Sequence, residues 1–211
     1  MGGVVTLLQL QRRRPDRVSV FVDDEFRLAL ALDVAAGLTL GQALTDAEIA
    51  RLAAEDAYRT ALERALARLA RRPRSRAEIE RDLAGRDVPP QVAARVLDRL
   101  VELELVDDAA FAAWWVESRG ANRPRGRIAL RSELAARGVE RADIDDALAA
   151  VDDEDAACAL AVARAARYAG LARDAFDHRL GGYLRRRGFA YDAVRRALDA
   201  AWAANSPGED A

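Results

Sequence analysis

Between Val4 and Leu32 the apolar residues come in three short runs, Val4 to Leu10, Val18 to Val22 and Phe26 to Leu32. Short Val-, Leu- and Phe-rich runs bounded by turn residues predict strands. The first break, Arg13-Arg14-Pro15-Asp16, holds a proline and an aspartate that favour a turn. The second, Asp23-Asp24-Glu25, predicts a tight hairpin with Val18, Val20 and Val22 on one face. The result is a three-stranded antiparallel meander over residues 1–45. Three strands are near the minimum for independent stability, so the sheet is expected to lean on a following helix. Thr45-Asp46-Ala47-Glu48 supplies its start as a capping box. From Asp46 to about Leu69 the apolar residues Ile49, Leu52, Leu62, Leu66 and Leu69 mostly keep helical spacing. A break near Glu55-Asp56 leaves one long helix or two equally open, and Pro73 ends the segment.

Beyond Pro73 the pattern repeats. Ile79-x3-Leu83-x2-Arg86-Asp87-Val88 lies without gaps over Leu130-x3-Leu134-x2-Arg137-Gly138-Val139 and over Leu180-x3-Leu184-x2-Arg187-Gly188-Phe189. Ala93, Ile144 and Val194 follow in register, then Leu97, Leu148 and Leu198. Asp87, Gly138 and Gly188 stand 51 and then 50 residues apart. Apolar residues four apart form the core stripe of one helix, and a glycine just past its end supplies the left-handed conformation that turns the chain sharply. In the first copy Asp87 takes the glycine's place and Val88-Pro89-Pro90 starts the return helix. Ser75 with Glu78 forms a second capping box. Adding the helix that precedes each pair gives three tandem three-helix repeats at 46–104 (with a linking helix), 105–152 and 153–204, and a disordered tail at 205–211. One helix pair cannot bury its own apolar faces, so the repeats are expected to stack into an elongated, curved array. The fold class is therefore mainly α with a small β extension.

Composition alters this picture little. The 211 residues are 51% hydrophobic, enough for a core, and all 33 basic residues are arginine. The heavy use of alanine suits helices and reads as compositional bias. Net charge is −2 and pI about 5.6, so the whole-chain charge does not announce a nucleic-acid binder. Arginines follow the first apolar run instead of preceding it as in a signal peptide, and no apolar stretch suggests a membrane span. These readings place the chain in the cytoplasm, and a monomer is expected.

Catalytic templates are missing: there is no phosphate-binding glycine loop, no Cys-x-x-Cys, no His-Glu-x-x-His and no Gly-x-Ser-x-Gly. The single cysteine, Cys158, sits in an apolar stretch and reads as a small core residue, and the single histidine, His178, as a surface residue. The carboxylates between Asp143 and Asp155 cluster at helix starts, where they offset the dipole. No catalytic residue, metal site or cofactor is expected.

The arginines are unevenly placed. Seven lie between Arg59 and Arg76 against Glu63, six between Arg119 and Arg137 against Glu133, and nine between Arg164 and Arg196 against three acids. Residues 140–155 hold eight acids and Arg141. A near-neutral total thus hides patches of both signs. The Gly120 to Gly126 loop reads as exposed, which favours Arg119, Arg123, Arg125, Arg127 and Arg131 as partner-binding residues. Trp114 and Trp115 are adjacent and cannot both face one core. One is expected to pack with Phe111 and the other, taken as Trp114, to lie near the surface, where tryptophan beside arginine suits an interface.

Asp107-Asp108-x2-Phe111-Ala112-x2-Trp115-Val116-x-Ser118-Arg119, followed by Arg125-Gly126-x3-Leu130-x2-Glu133-Leu134-x2-Arg137-Gly138-Val139, resembles the central repeat of the RecX family. The copies at 79–97 and 180–198 are similar to its first and third repeats. The resemblance implies a non-enzymatic negative regulator of the RecA recombinase. Such a protein lies along or caps the RecA filament on single-stranded DNA and lowers its ATP hydrolysis, strand exchange and stimulated repressor cleavage. On this reading Trp114, Arg119, Arg123, Arg125, Arg127, Arg131 and Arg137 meet the partner, joined by Arg72, Arg74, Arg76, Arg185, Arg186 and Arg187. The alternative is a helical protein that binds DNA directly without RecA, the same arginines neutralising phosphates.

Overall fold

A computed structural model describes residues 2–122 and 124–205, so Arg123 and the tail from Ser206 lie outside the described residues. The chain divides into two compact units. One comprises residues 1–72 and 79–105, the other residues 73–78 and 106–211.

The N-terminal unit begins with β1 (Gly3–Gln11), β2 (Arg14–Val22) and β3 (Glu25–Ala31), the expected meander. After α1 (Leu32–Ala35), a short β4 (Ala43–Leu44) pairs with Gly3 and Val4, so the sheet has four strands in the order β3-β2-β1-β4 rather than three. A two-residue strand carries no alternation, which is why the pattern hides it. The first turn falls at Arg12-Arg13, and Pro15 lies inside β2. Proline is tolerated there because pairing with β3 begins only at Arg17, so no ladder donor is lost. Asp23 and Asp24 both take left-handed φ values, 50° and 66°, as a two-residue hairpin turn with the sheet's twist requires. Val4 N–H donates to Asp23 Oδ1 at 2.9 Å, a position that a Cβ on Gly3 would obstruct.

Thr45 caps α2 (Asp46–Leu69) through the full reciprocal box, with Thr45 N–H donating to Glu48 Oε2 at 2.7 Å. The helix is continuous through Glu55-Asp56. Polar Asp56 interrupts the apolar periodicity because it serves the sheet: its carboxylate accepts from Arg17 Nη2 at 2.7 Å and from Ala31 N–H at 2.6 Å, and Asp56 is only 9% exposed. The apolar face of the sheet (Val5, Val18, Val20, Val22, Leu30) packs with Ile49 and Leu52 of α2. Further along α2 the buried residues are Ala61 and Ala65, whereas Leu66, expected in the stripe, is exposed. The return helix α4 (Pro90–Glu102) buries Val92, Val96, Leu97 and Leu100. It follows α3 (Arg76–Ala84), which buries Ile79 and Leu83.

In the C-terminal unit α5 (Asp108–Asn122), α6 (Arg127–Ala135) and α7 (Arg141–Leu148) enclose Phe111, Trp115, Leu130, Leu134, Ile144 and Leu148. The third set is α8 (Asp153–Ala165), α9 (Arg173–Arg186) and α10 (Tyr191–Asn205). Its core joins Phe176, Leu180 and Leu184 to two alanine rows at four-residue spacing, Ala157, Ala161 and Ala165 on α8 and Ala193, Ala197 and Ala201 on α10. Alanine is therefore a packing choice here as well as a compositional one: side chains this small let the helix backbones approach closely. Among the described residues no helix is long and apolar enough to cross a membrane.

Removing one partner of the Arg17–Asp56 pair strands a buried charge. Asp56→Ala is expected to lower the stability of the N-terminal unit by about 3 kcal/mol. In urea, far-UV circular dichroism should reveal the loss as an earlier transition. Tryptophan fluorescence should not move with it, since Trp114, Trp115 and Trp202 all belong to the other unit.

Candidate partner-binding surface

Several of the candidate arginines sit at a joint that the C-terminal unit builds twice. At the first copy Ser75 Oγ–H, fully buried, donates to the Arg137 carbonyl at 2.7 Å and Arg76 N–H donates to Asp108 Oδ1 at 2.8 Å. At the second, Gly126 N–H donates to the Arg187 carbonyl at 3.0 Å, Ile128 N–H to the Gly188 carbonyl at 3.2 Å, and Arg127 N–H to Asp153 Oδ1 at 2.8 Å. Both begin a second helix against the end of the next repeat's second helix. Gly138 and Gly188 hold left-handed φ values of 82° and 84° there. They also lack room for a side chain: a Cβ on Gly138 would overlap Ala77, one on Gly188 would overlap Ala129, and one on Gly126 would overlap the Gly188 carbonyl. Asp87 occupies the matching place in the N-terminal unit with φ 56° and is exposed, so it meets the conformational demand without the steric one.

Asp108 and Asp153 give this joint a pH dependence. Burial pushes both carboxyls above their ordinary value, against the lowering effect of the Arg76 and Arg127 N–H donors.

The second feature is a cluster around Glu133 of α6. Its carboxylate accepts from Trp115 Nε1–H and from Arg119 Nε, both at 2.9 Å, and pairs with Arg125 at 3.4 Å as an ion pair rather than a hydrogen bond. The Arg119 and Arg137 guanidinium groups lie over the Trp115 ring at 4.4 and 3.6 Å, a cation–π arrangement. Arg137 also donates to the Glu133 carbonyl at 2.6 Å. Two guanidiniums thus meet one carboxylate while a third, that of Arg137, bonds the backbone of the same residue, and the Arg119 and Arg125 side chains remain 30% and 33% exposed. Trp115 is the buried member of the pair and Trp114 is half-buried, as the adjacency required, although both rings lie near Phe111.

The remaining candidates separate by what holds them. Arg131 pairs with Asp145, whose carboxyl it holds below the ordinary value through hydrogen bonding. Arg127 reaches toward the Val151 carbonyl at 3.5 Å, and Arg187 toward that of Pro124 at 3.5 Å. Arg72 and Arg74 are half-buried and Arg76 is exposed, and all three already have contacts within the protein. Arg185 and Arg186 are exposed at the end of α9, and their guanidinium groups have no partner among the described residues. Arg123 lies outside the described residues. Sequence reasoning met Glu133 and Asp108 only as motif residues, Asp153 as a helix-start acid and Ser75 as a cap, and assigned none of them the contacts described above. The signal that could have found the joint is the acidic pair opening two leading helices, Asp107-Asp108 and Asp152-Asp153, although the contacts to Arg76 and Arg127 span different separations, 32 and 26 residues.

Cys158 is half-buried against the α8–α10 core, and burial together with Asp155 and Glu154 pushes its thiol up, away from the reactive thiolate. His178 is exposed. Among the described residues no group of three or more histidine, cysteine or acidic side chains is placed to hold a metal ion.

Comparison with known proteins places this architecture. Residues 61–100, 107–148 and 152–198 match the first, second and third three-helix domains of RecX. The chain belongs to the RecX family. The regulatory protein RecX of Thermobifida fusca (strain YX) is 40% identical over 155 residues, which cover 70% of this chain and 84% of that one. The regulatory protein RecX of Bacillus subtilis (strain 168) is 28% identical over 200 residues, covering 92% and 76%. A crystal structure of regulatory protein RecX superimposes with a TM-score of 0.70 at 25% identity, covering 94% of this chain and all of that chain. RecX proteins are regulators and not enzymes. Each matched domain falls on one helix triplet, the first beginning within α2 and the third ending within α10.

Two measurements test the joint. In urea unfolding followed by tryptophan fluorescence, Gly126→Ala should lose at least about 2 kcal/mol, the scale of a forced clash. Asp87→Gly, followed by circular dichroism, should stay within about 1 kcal/mol of the parent, because nothing is packed there that needs the space. The raised carboxyls favour the folded state fully below the unfolded aspartate value of about 3.9, and that contribution is lost as pH rises through the folded values. Asp108→Asn with Asp153→Asn keeps both acceptors but cannot ionise. Thermal melts should therefore show the double variant gaining on the parent as pH rises from about 4 to 7.

Proposed function

We propose that the chain is a cytoplasmic, monomeric negative regulator of RecA that binds the RecA filament on single-stranded DNA and lowers its ATP hydrolysis, strand exchange and co-protease activity. The observation that carries this reading is the run of three RecX three-helix domains in order along the chain. The arginine distribution supports it. The Glu133 cluster fixes Arg119, Arg125 and Arg137 in place while leaving positive charge in excess, and a preorganised cation loses little side-chain entropy on meeting an acidic partner. Arg185 and Arg186 supply cations that the fold leaves uncommitted. Trp114, Arg123, Arg127, Arg131, Arg187, Arg72, Arg74 and Arg76 complete the proposed contact set. Long-range attraction of this kind speeds docking and weakens with salt.

The test is single-stranded-DNA-dependent ATP hydrolysis by RecA, measured with increasing amounts of this protein. Inhibition below one molecule per RecA is expected, and its absence at every dose would sink the proposal. Arg185→Glu with Arg186→Glu is the informative variant, since it breaks no contact in the fold. Inhibition should weaken at least tenfold in dose with the melting temperature unchanged. Arg125→Glu is a poorer probe because it sets a second carboxylate against Glu133.

A further inference from the structure

The N-terminal unit holds a trough lined with arginines outside the RecA contact set proposed above. A cleft of about 370 Å³ is lined by Arg64, Arg68, Arg71, Arg86 and Ala67 alone. Through Arg64 and Arg86 it runs into a second cleft of about 300 Å³, which adds Arg14 from the start of β2 and the turn at Asp87. Arg64 and Arg68 stand one turn apart on α2, about 6 Å along its axis, and Arg71 lies in the turn that follows.

The fold neutralises only part of this charge. Arg68 and Arg86 share one carboxylate, Asp82, at 2.7 and 3.3 Å. Arg17 is held by Asp56, and Arg14 approaches Asp16 only at 3.9 Å. The Arg64 and Arg71 guanidinium groups are exposed and have no partner among the described residues. Against these stand two acids without a partner among the described residues, Asp87 in the second cleft and Glu63 where Arg14 and Arg64 border an adjoining one. The surplus is therefore a line of cations longer than one phosphate group.

We propose that this trough binds the phosphodiester backbone of a single-stranded nucleic acid. Guanidinium forks fit phosphate oxygens in paired hydrogen bonds, and a line of them fits a linear polyanion better than it fits a single small anion. Neither cleft is lined by an aromatic side chain, so bases find no stacking platform and contact is to the backbone alone. Binding is accordingly independent of base sequence and steeply dependent on salt.

The experiment uses the full chain without RecA. A labelled 30-nucleotide single strand is titrated by fluorescence anisotropy at several salt concentrations. The variant is Arg14→Glu, Arg64→Glu and Arg71→Glu together, and the control, Arg167→Glu, Arg179→Glu and Arg195→Glu, carries the same net charge. The trough variant should lose at least tenfold in affinity, and its salt slope should fall by about 2, at roughly 0.7 per lost phosphate contact on a single strand. The control should stay within about threefold, a change set by net charge alone. The neutral Arg14→Gln, Arg64→Gln, Arg71→Gln variant should reproduce the loss of slope, which separates loss of contacts from repulsion. An unchanged slope, equal loss in the control, or no binding by the parent overturns the proposal. The last result, with RecA inhibition intact, would leave the RecA reading standing.

Discussion

Wherever one repeat of the C-terminal unit meets the next, a backbone carbonyl at the end of one second helix must be met by a donor at the start of another. The Gly126 and Ile128 N–H groups end on the Arg187 and Gly188 carbonyls, and Ser75 does the same for Arg137 with its hydroxyl. Buried donors and acceptors of this kind cost free energy unless paired, so the joint tolerates little displacement. Glycine is required at Gly138 and Gly188 on two counts, the left-handed turn and the absent side chain. Asp87 satisfies the first count alone, which accounts for its departure from the repeat.

The same joint explains part of the arginine pattern. Arg76 and Arg127 open helices whose first N–H groups meet Asp108 and Asp153, a contact that asks for a backbone donor and not for a guanidinium. Arg137 and Arg187 recur because they precede the cap glycines. Their side chains fold back on Trp115 and toward Pro124. What recurs in the repeat is thus distinct from what the fold leaves unpaired among the described residues, and Arg185, Arg186, Arg64 and Arg71 belong to the second group. A net charge of −2 conceals this because the acids are consumed at helix starts and in ion pairs while these guanidiniums are not.

In the N-terminal unit the Arg17–Asp56 pair plays a comparable fixing role. It ties the sheet to α2 at a position where an apolar residue would continue the stripe, and it accepts the Ala31 N–H at the end of β3. Beyond it, Ala61 and Ala65 replace the leucines expected at the contact. The alanine rows of α8 and α10 repeat that solution, and close helix approach takes over from bulky interdigitation.

The sequence by itself determined the strands and their hairpin, the capping box at Thr45, the three helix triplets and the family, because alternation, four-residue spacing and a 50-residue period are local or translational signals. It also located the arginine blocks. Only the tertiary structure decided which arginines are held and which are free, because Glu133 reaches Trp115 and Arg119 across 18 and 14 residues, and Asp56 reaches Arg17 across 39. The two-residue β4 and the alanine seams likewise acquire meaning only from what lies opposite them. A charge pattern along a chain counts groups, whereas the fold assigns each its partner.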